Sequence, residues 1–261
     1  IHSTVFRELL PPEADIERTR LLVAKMAETL QSGPLGRMVE REPVNGHWLE
    51  GLRTEMPFHI TIDVDTGGLV THRWSPQGNE PLANINQAKI EMSGIIDLVL
   101  CTKTSDGDYT IRAVDLKTED AGLVNSDSSE GLLETLDSEE TGPACDAEFE
   151  LLRKHRMQLA LYYQALQSIE NTRMEAGLSY RTVLPPAILV GVTGRMVEYP
   201  VEMLDLSLQE LDELLVRTAK MTLSTDSPLS DYDRLPDESA HVCETCPFHR
   251  GALPICGPAE Q

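Results

Sequence analysis

Three stretches rich in Ile and Val constrain the fold of this chain most strongly. They cover residues 55–64, 90–100 and 109–116, and turn signals such as Asp65-Thr66-Gly67-Gly68 and Ser105-Asp106-Gly107-Asp108 separate them. β-Branched residues between such turns are typical of strands. We therefore predict a meander of neighbouring antiparallel strands.

Segments with helical periodicity flank these strands. A first helix is predicted from residue 12 to about residue 30, and a second from residue 149 to about residue 169. Two short strands, turned by Thr193-Gly194, are predicted within 187–197. Because Ser207 and Glu210 match a capping box, a last helix is predicted to start at Ser207. This order of elements indicates an α/β fold.

The length and composition indicate one domain covering residues 1–261. Residues 119–150 hold eleven acids and no lysine or arginine, which predicts a solvated acidic insertion or, alternatively, a gate that keeps DNA from a nearby site. The chain has no long apolar run and no signal segment, so we expect an intracellular, cytoplasmic protein without a membrane partner. Because it begins with Ile1, we expect it to belong to a longer protein.

The formal net charge of −21 restricts where a nucleic acid could bind. A phosphate backbone is repelled by an acidic surface and attracted by clustered lysine and arginine. A DNA site would therefore have to be a local basic groove, for which Arg153-Lys154-His155-Arg156 is the best stretch. The charge itself fits either adaptation to high salt or an ordinary acidic, well-solvated surface.

Three charged residues on two adjacent predicted strands carry the strongest chemical signal. Asp97 ends the segment Gly94-Ile95-Ile96-Asp97, and the next strand contains Val114-Asp115-Leu116-Lys117. Side chains alternate along a strand, so Asp115 and Lys117 share a face. A neighbouring antiparallel strand can place Asp97 within about 5–8 Å of them.

Two carboxylates this close repel each other unless a cation lies between them. Hard oxygen ligands favour Mg²⁺ or Mn²⁺. A lysine beside such an ion can orient the attacking water and stabilise charge that develops on a phosphorus centre, which is the chemistry of phosphodiester hydrolysis. Taken alone, the spacing is more simply explained by an Asp–Lys pair on a solvated strand face.

Four segments, in chain order, resemble the successive motifs of the RecB-like PD-(D/E)XK nucleases. They are Glu55-Met56-Pro57-Phe58, Gly94-Ile95-Ile96-Asp97, Val114-Asp115-Leu116-Lys117-Thr118 and Gln158-Leu159-Ala160-Leu161-Tyr162. The resemblance covers nearly the whole chain. In particular, the four segments resemble the C-terminal nuclease domains of AddA-type helicase–nucleases. It implies a central mixed β-sheet flanked by helices, with a restriction-endonuclease-like core and a C-terminal cysteine-rich tail.

The resemblance also implies a role for individual residues. It makes Asp97, Asp115 and the backbone carbonyl of Leu116 the ligands of a Mg²⁺ or Mn²⁺ ion, and Lys117 the catalytic base or charge stabiliser. Family members carry a further metal-binding histidine on the first helix. His2 occupies the matching position here, with His47 and His59 as alternatives.

Gln158 and Tyr162 complete the site that the resemblance implies. They lie four residues apart and so share a helix face. In the family this pair braces the lysine and the DNA backbone. An ordinary amphipathic helix is the alternative explanation of their spacing.

Residues 240–261 form a tail containing Cys243, Cys246 and Cys256. Thiolates at this spacing suit an iron–sulfur cluster or Zn²⁺, and a tail without metal is the third option. The tail resembles that of the AddB subunit and of CRISPR-adaptation exonucleases, which implies a [4Fe–4S] cluster. Its fourth ligand would be a cysteine upstream of His2, beyond this chain, or Cys145, whereas Cys101 is predicted to be buried.

Taken as a whole, the resemblance implies a divalent-metal-dependent deoxyribonuclease of exonuclease type, acting in DNA end processing and recombinational repair. Its partners would be single-stranded DNA or DNA ends, together with a helicase domain or partner subunit. The chain has no GxxxxGK[ST] phosphate loop, so any motor lies outside it. The alternatives are a free-standing CRISPR-adaptation-type exonuclease, an inactive nuclease-like DNA-binding module, and a cysteine tail that acts as a redox sensor.

Overall fold

The computed structural model describes residues 16–65, 71–75, 87–118, 143 and 145–223. Helices lie at both ends of this part of the chain, and strands lie between them. In chain order the elements are α1 (Ile16–Ser32), α2 (Pro34–Val39), β1 (His47–Asp65), β2 (Thr71–Ser75), β3 (Gln87–Thr104), β4 (Tyr109–Lys117), α3 (Asp146–Lys154), α4 (Arg156–Glu175), β5 (Thr182–Val183), β6 (Ala187–Val190), β7 (Met196–Glu198) and α5 (Val201–Leu223).

The strands form one seven-stranded sheet in the order β2-β1-β3-β4-β6-β7, with β5 also paired to β4. β1, β3 and β4 are antiparallel neighbours, which confirms the predicted meander. β2 folds back on the outer side of β1, and β6 runs parallel to β4. The sheet is therefore mixed and is flanked by helices, as predicted.

The two faces of the sheet are covered by different helices. Tyr162, Ala165 and Leu166 of α4 pack with Ile111 and Ala113 of β4 on one face. On the other face, apolar residues of α1, α2 and the sheet form a second cluster, which includes Leu30, Met38, Leu100, Val114 and Leu189. Successive residues of β4, such as Ala113 and Val114, thus point into different layers, as the period of a strand requires.

The predicted second helix is in fact two helices. The chain breaks between α3 and α4 at His155, and α3 already begins at Asp146. The predicted acidic insertion of residues 119–150 therefore ends in the first turns of a helix. Acids near the start of α3, Asp146 and Glu148, are favourable at a helix N-terminus, so this part of the acid-rich stretch is compatible with a helix.

The predicted start of the last helix was also wrong. α5 begins at Val201, and Leu204 N–H donates to the carbonyl of Pro200. Proline is tolerated there because the first N–H groups of a helix have no acceptor within the helix, so no hydrogen bond is lost. Ser207 is buried within the helix, where its Oγ lies 2.7 Å from the hydroxyl of Tyr199, so it does not cap a helix start.

Among the described helices, none is both long enough and apolar enough to cross a membrane.

Candidate active site

The central feature of the site is a gap between β3 and β4. The two strands pair from Lys103 and Tyr109 as far as Leu98 and Val114. The next residues in this direction are Asp97 on β3 and Asp115 on β4. β4 continues alongside β6 to Lys117, whereas β3 continues alongside β1. The strands therefore part where the two aspartates lie.

The Asp97 carboxylate accepts a hydrogen bond from a backbone amide of β4 that no longer pairs with the β3 backbone. The N–H of Leu116 donates to Asp97 Oδ2 at 2.9 Å. In a strand the N–H and C=O of one residue point to the same side, so the Leu116 carbonyl also faces the gap. The carbonyl of Lys117 points the other way and accepts from Gly191 N at 2.8 Å. The gap is thus bordered by a carboxylate and a backbone carbonyl.

β3 is irregular at this point. Ile96 and Val99 both contribute to the cluster beneath α4, although residues three apart on a regular strand face opposite ways. The strand therefore changes face between Ile96 and Val99. Across from Asp97 on β1, Glu55 has a φ of 49°, which is uncommon for a residue other than glycine and marks a strained backbone. Irregular strand geometry of this kind re-aims side chains.

Asp115 is the most buried charged group of the site. Its side chain is 1% exposed, and Oδ2 lies 2.8 Å from Lys117 Nζ. Burial raises the pKa of the Asp115 carboxyl, the Lys117 ammonium lowers it, and the nearby Asp97 carboxylate raises it further. The net direction is upward. The ionised carboxylate therefore depends on positive charge beside it.

Gln158, near the start of α4, connects Asp115 and Lys117. Its Nε2 donates to Asp115 Oδ1 at 3.1 Å, and its Oε1 accepts from Lys117 Nζ at 3.4 Å. One planar amide thus contacts both members of the ion pair. A side chain bonded at both ends holds few alternative rotamers, so the amide restricts where Lys117 can point.

Tyr162 lies one helical turn after Gln158 and fixes the amide in turn. Its hydroxyl accepts from Gln158 Nε2 at 2.7 Å and donates to the carbonyl of Ile95 at 2.8 Å. Burial raises the pKa of Tyr162, the bond from Gln158 lowers it, and the charges of Asp115 and Asp97 raise it. The phenol therefore keeps its proton at neutral pH and remains a donor.

A close contact with α1 supports the end of β4. Gly191 and Gly194 lie in the turn after β6, and a Cβ at Gly194 would lie 2.3 Å from the carbonyl oxygen of Thr29. Gly194 also has a φ of 70°, which only glycine adopts without strain. Thr29 Oγ1 donates to Gly191 O at 3.0 Å. α1 is thus seated beside the strand that carries Lys117.

The donor set of the gap fits a small hard cation. Asp97, Asp115 and the Leu116 carbonyl offer oxygen atoms, which Mg²⁺ and Mn²⁺ prefer. Among the described residues, no three His, Cys, Asp or Glu side chains gather at one point. Mg²⁺ is commonly held by one or two carboxylates, with water and substrate phosphate completing its shell, so two aspartates suffice.

Of the three candidate histidines, His2 lies outside the described residues. His47 lies on the sheet face opposite α4, where Nδ1 is 3.3 Å from Thr102 Oγ1, and burial and Arg112 lower its pKa. His59 is exposed on β1. The structure therefore does not bring His47 to the gap.

The predicted cluster residues Cys243, Cys246 and Cys256 also lie outside the described residues. Cys145 precedes α3 and packs against the apolar cluster beneath it. Cys101, predicted to be buried, is partly buried, with its Sγ 3.9 Å from an arginine nitrogen of Arg181.

The arginines of the predicted basic groove are already ion-paired. Arg153 lies 2.8 Å from Glu150, and Arg156 lies 2.8 Å from Glu210. Such exposed pairs contribute only about 0–1 kcal/mol, so a DNA phosphate could displace either glutamate. The groove is thus less positive in this structure than its sequence indicates.

Two contributors to the site were missed from the sequence. Phe58 packs edge-to-face on Tyr162, with ring centroids 6.0 Å apart. Its position opposite Gly94 becomes a signal only once the register of β1 and β3 is known, since an aromatic ring often covers a cross-strand glycine. The Ile95 carbonyl gave no signal, because backbone acceptors cannot be read from residue types.

The sequence pattern of the PD-(D/E)XK nuclease superfamily matches residues 1–251 of the chain. No curated protein and no solved structure matches it. The match covers every described element, including both strands that border the gap and the helix that supplies Gln158 and Tyr162. The chain therefore belongs to the PD-(D/E)XK nuclease superfamily.

Proposed function

We propose that this protein is a divalent-metal-dependent deoxyribonuclease that hydrolyses phosphodiester bonds at DNA ends. The observation that carries the proposal is the convergence of Asp97, Asp115, Lys117 and Gln158 where β3 and β4 part. Two acids and a lysine on rigid strands form an arrangement suited to phosphoryl chemistry.

Each side chain has a distinct task in this proposal. Asp97, Asp115 and the Leu116 carbonyl would hold a divalent ion, which polarises the phosphoryl oxygen when bound. Lys117 orients the attacking water and stabilises the negative charge that grows on the phosphate. Gln158 holds the Lys117 ammonium and the Asp115 carboxylate in one geometry, so the site is organised before substrate arrives.

The biological setting is inferred from the resemblance of the four motifs. It favours the nuclease domain of a helicase–nuclease that processes DNA ends in recombinational repair, with single-stranded DNA or a DNA end as substrate. The [4Fe–4S] cluster on Cys243, Cys246 and Cys256 is a prediction from the same resemblance, as is the contribution of His2 to the metal site.

A metal-dependence assay tests the proposed activity. With Mg²⁺ or Mn²⁺, the protein is expected to shorten end-labelled single- or double-stranded DNA, and excess chelator is expected to abolish cleavage because no ion is then left to polarise the phosphoryl oxygen. Re-addition of Mg²⁺ should restore it. The assay should be repeated over a range of salt concentrations, since the net charge is −21. Cleavage that persists in chelator, or none with either metal at any salt concentration, would contradict the proposal.

Gln158→Leu tests whether the amide organises the site. Removing it leaves Asp115 Oδ1 buried without this donor and frees Lys117 to move. We expect kcat to fall about 10–100-fold, since small misplacements of catalytic groups have effects of this order. KM for DNA should change little.

The matched control is Gln167→Leu on the same helix. Gln167 also bonds a tyrosine hydroxyl four residues away, with Nε2 2.9 Å from Tyr163 OH, but it does not contact Asp115 or Lys117. Its kcat is expected to stay within about twofold of wild type, as for surface changes remote from the chemistry. Equal losses in both variants would show that Gln158 acts only through helix stability.

A further inference from the structure

Phe58 lies directly over Gly94, and this contact leaves no room for a side chain. The two residues are paired across β1 and β3. A Cβ at position 94 would lie 2.7 Å from Phe58 Cζ and 2.8 Å from Cε1, closer than real carbon atoms approach. The φ angle of Gly94 is not positive, so the lack of space for a side chain, rather than backbone conformation, explains the glycine.

The other side of the Phe58 contact is Tyr162. Their rings meet edge-to-face at an interplanar angle of 80°, and both side chains are 6% exposed. The ring of Tyr162 is thus held by Phe58, and its hydroxyl by the Ile95 carbonyl. Ile95 follows Gly94 directly. The same segment of β3 therefore sets both the ring and the hydroxyl of Tyr162.

The hydroxyl of Tyr162 also decides which way the Gln158 amide faces. A phenol has one proton, and here it is donated to Ile95 O. The phenol oxygen can then only accept from Gln158, which must turn its NH₂ group toward Tyr162 and Asp115. The amide oxygen is left facing Lys117 Nζ. A reversed amide would direct N–H groups at the ammonium.

We infer that Phe58 and Gly94 are positioning residues, which act on Lys117 through Tyr162 and Gln158. The inference rests on the proposed nuclease function and extends it to a pair of residues outside the gap. Gly94 admits the Phe58 ring, Phe58 holds the Tyr162 ring, and Tyr162 orients the Gln158 amide that holds Lys117. Neither Phe58 nor Gly94 touches the reacting groups in this arrangement.

A double-mutant cycle tests this order of action. Phe58→Leu is expected to lower kcat about tenfold, a typical size for coupling between contacting residues, while KM for DNA stays within about twofold. In a Tyr162→Phe background, the same Phe58→Leu change is expected to have no further effect. Gly94→Ala should behave like Phe58→Leu. A loss of the same factor in both backgrounds would overturn the inference.

Ile60→Val is the matched control for stability. Ile60 is fully buried in the same strand and the same apolar cluster as Phe58. This variant should lower the unfolding midpoint without lowering kcat more than about twofold, as expected for a small core truncation. A proportional loss of kcat in Ile60→Val would show that Phe58→Leu acts through stability, which would also overturn the inference.

A readout that does not need catalysis separates this inference from the nuclease proposal. The amide nitrogen of Ile96 shares a peptide bond with the Ile95 carbonyl, so its NMR shift reports the hydrogen bond from Tyr162. Phe58→Leu is expected to move this shift toward its value in Tyr162→Phe. An unchanged shift would refute the positioning role even in an active enzyme. If Phe58→Leu moves this shift but the wild-type protein cleaves no DNA, the result would count against the nuclease proposal alone.

Discussion

Lys117→Ala is expected to lower kcat for metal-dependent DNA cleavage about 10²–10⁴-fold, the range for loss of a group that transfers a proton or stabilises developing charge. Its ammonium is 2.8 Å from Asp115 Oδ2 and is further restrained by the Gln158 amide oxygen, so it is fixed beside the proposed metal ligands. Single-turnover cleavage of end-labelled DNA measures the chemical step apart from product release.

Lys103→Ala provides a matched lysine control. Lys103 also lies on a central strand, and its Nζ lies 5.4 Å from the ring centroid of Tyr109, far along β3 from the gap. We expect its cleavage rate to stay within about twofold of wild type, as for other changes remote from the site. If Lys117→Ala cleaved as fast as Lys103→Ala, Lys117 would have no catalytic role.

The sequence allowed the positions of the site residues to be predicted because strand alternation and helical pitch decide which residues share a face. Asp115 and Lys117 share a face by the alternation of β4, and Gln158 and Tyr162 share a face by the pitch of α4. The antiparallel register of β3 and β4 then places Asp97 next to Asp115. The strand alternation and the helical pitch are local rules, and the structure brings the five residues together.

The irregular features of the site depend on tertiary contacts and could not be predicted. The parting of β3 from β4, the change of face after Ile96 and the positive φ of Glu55 have no local sequence signature. Glu55 is a poor candidate for left-handed backbone by residue type, so the surrounding sheet must impose it. The contact between Phe58 and Gly94 likewise exists only once the strands are paired.

The element boundaries were missed for similar reasons. The first half of β1 mixes apolar residues such as Trp48, Leu49 and Leu52 with polar ones and contains no fully buried residue, so it was not predicted as a strand although it pairs with β3. Ser207 and Glu210 match a capping box by residue type, yet Tyr199 binds the Ser207 hydroxyl inside α5. A short polar motif predicts a helix start only where the chain is free to begin one there.

Asp115→Asn is expected to separate metal binding from stability. Burial and the Asp97 carboxylate raise the pKa of Asp115 above its ordinary value of 3.8. The folded protein therefore binds this proton more tightly than the unfolded chain, so stability falls as pH rises from 3.8 through the folded pKa and stays lower above it. Without metal at pH 7, the asparagine variant should unfold at the same or a higher denaturant concentration than wild type.

Addition of Mg²⁺ should reverse this order. A ligand at about 100 times its Kd stabilises the folded state by about 2.7 kcal/mol, which raises Tm by about 5–10 °C for a protein of this size. We expect that shift in wild type and little or none in Asp115→Asn, which has lost a charged ligand. The control Asp106→Asn, in the exposed hairpin after β3, should respond to Mg²⁺ as wild type does. Because the measurement is thermal unfolding, it needs no DNA. An equal Mg²⁺ shift in Asp115→Asn would remove Asp115 from the metal site, even if the variant had lost its nuclease activity.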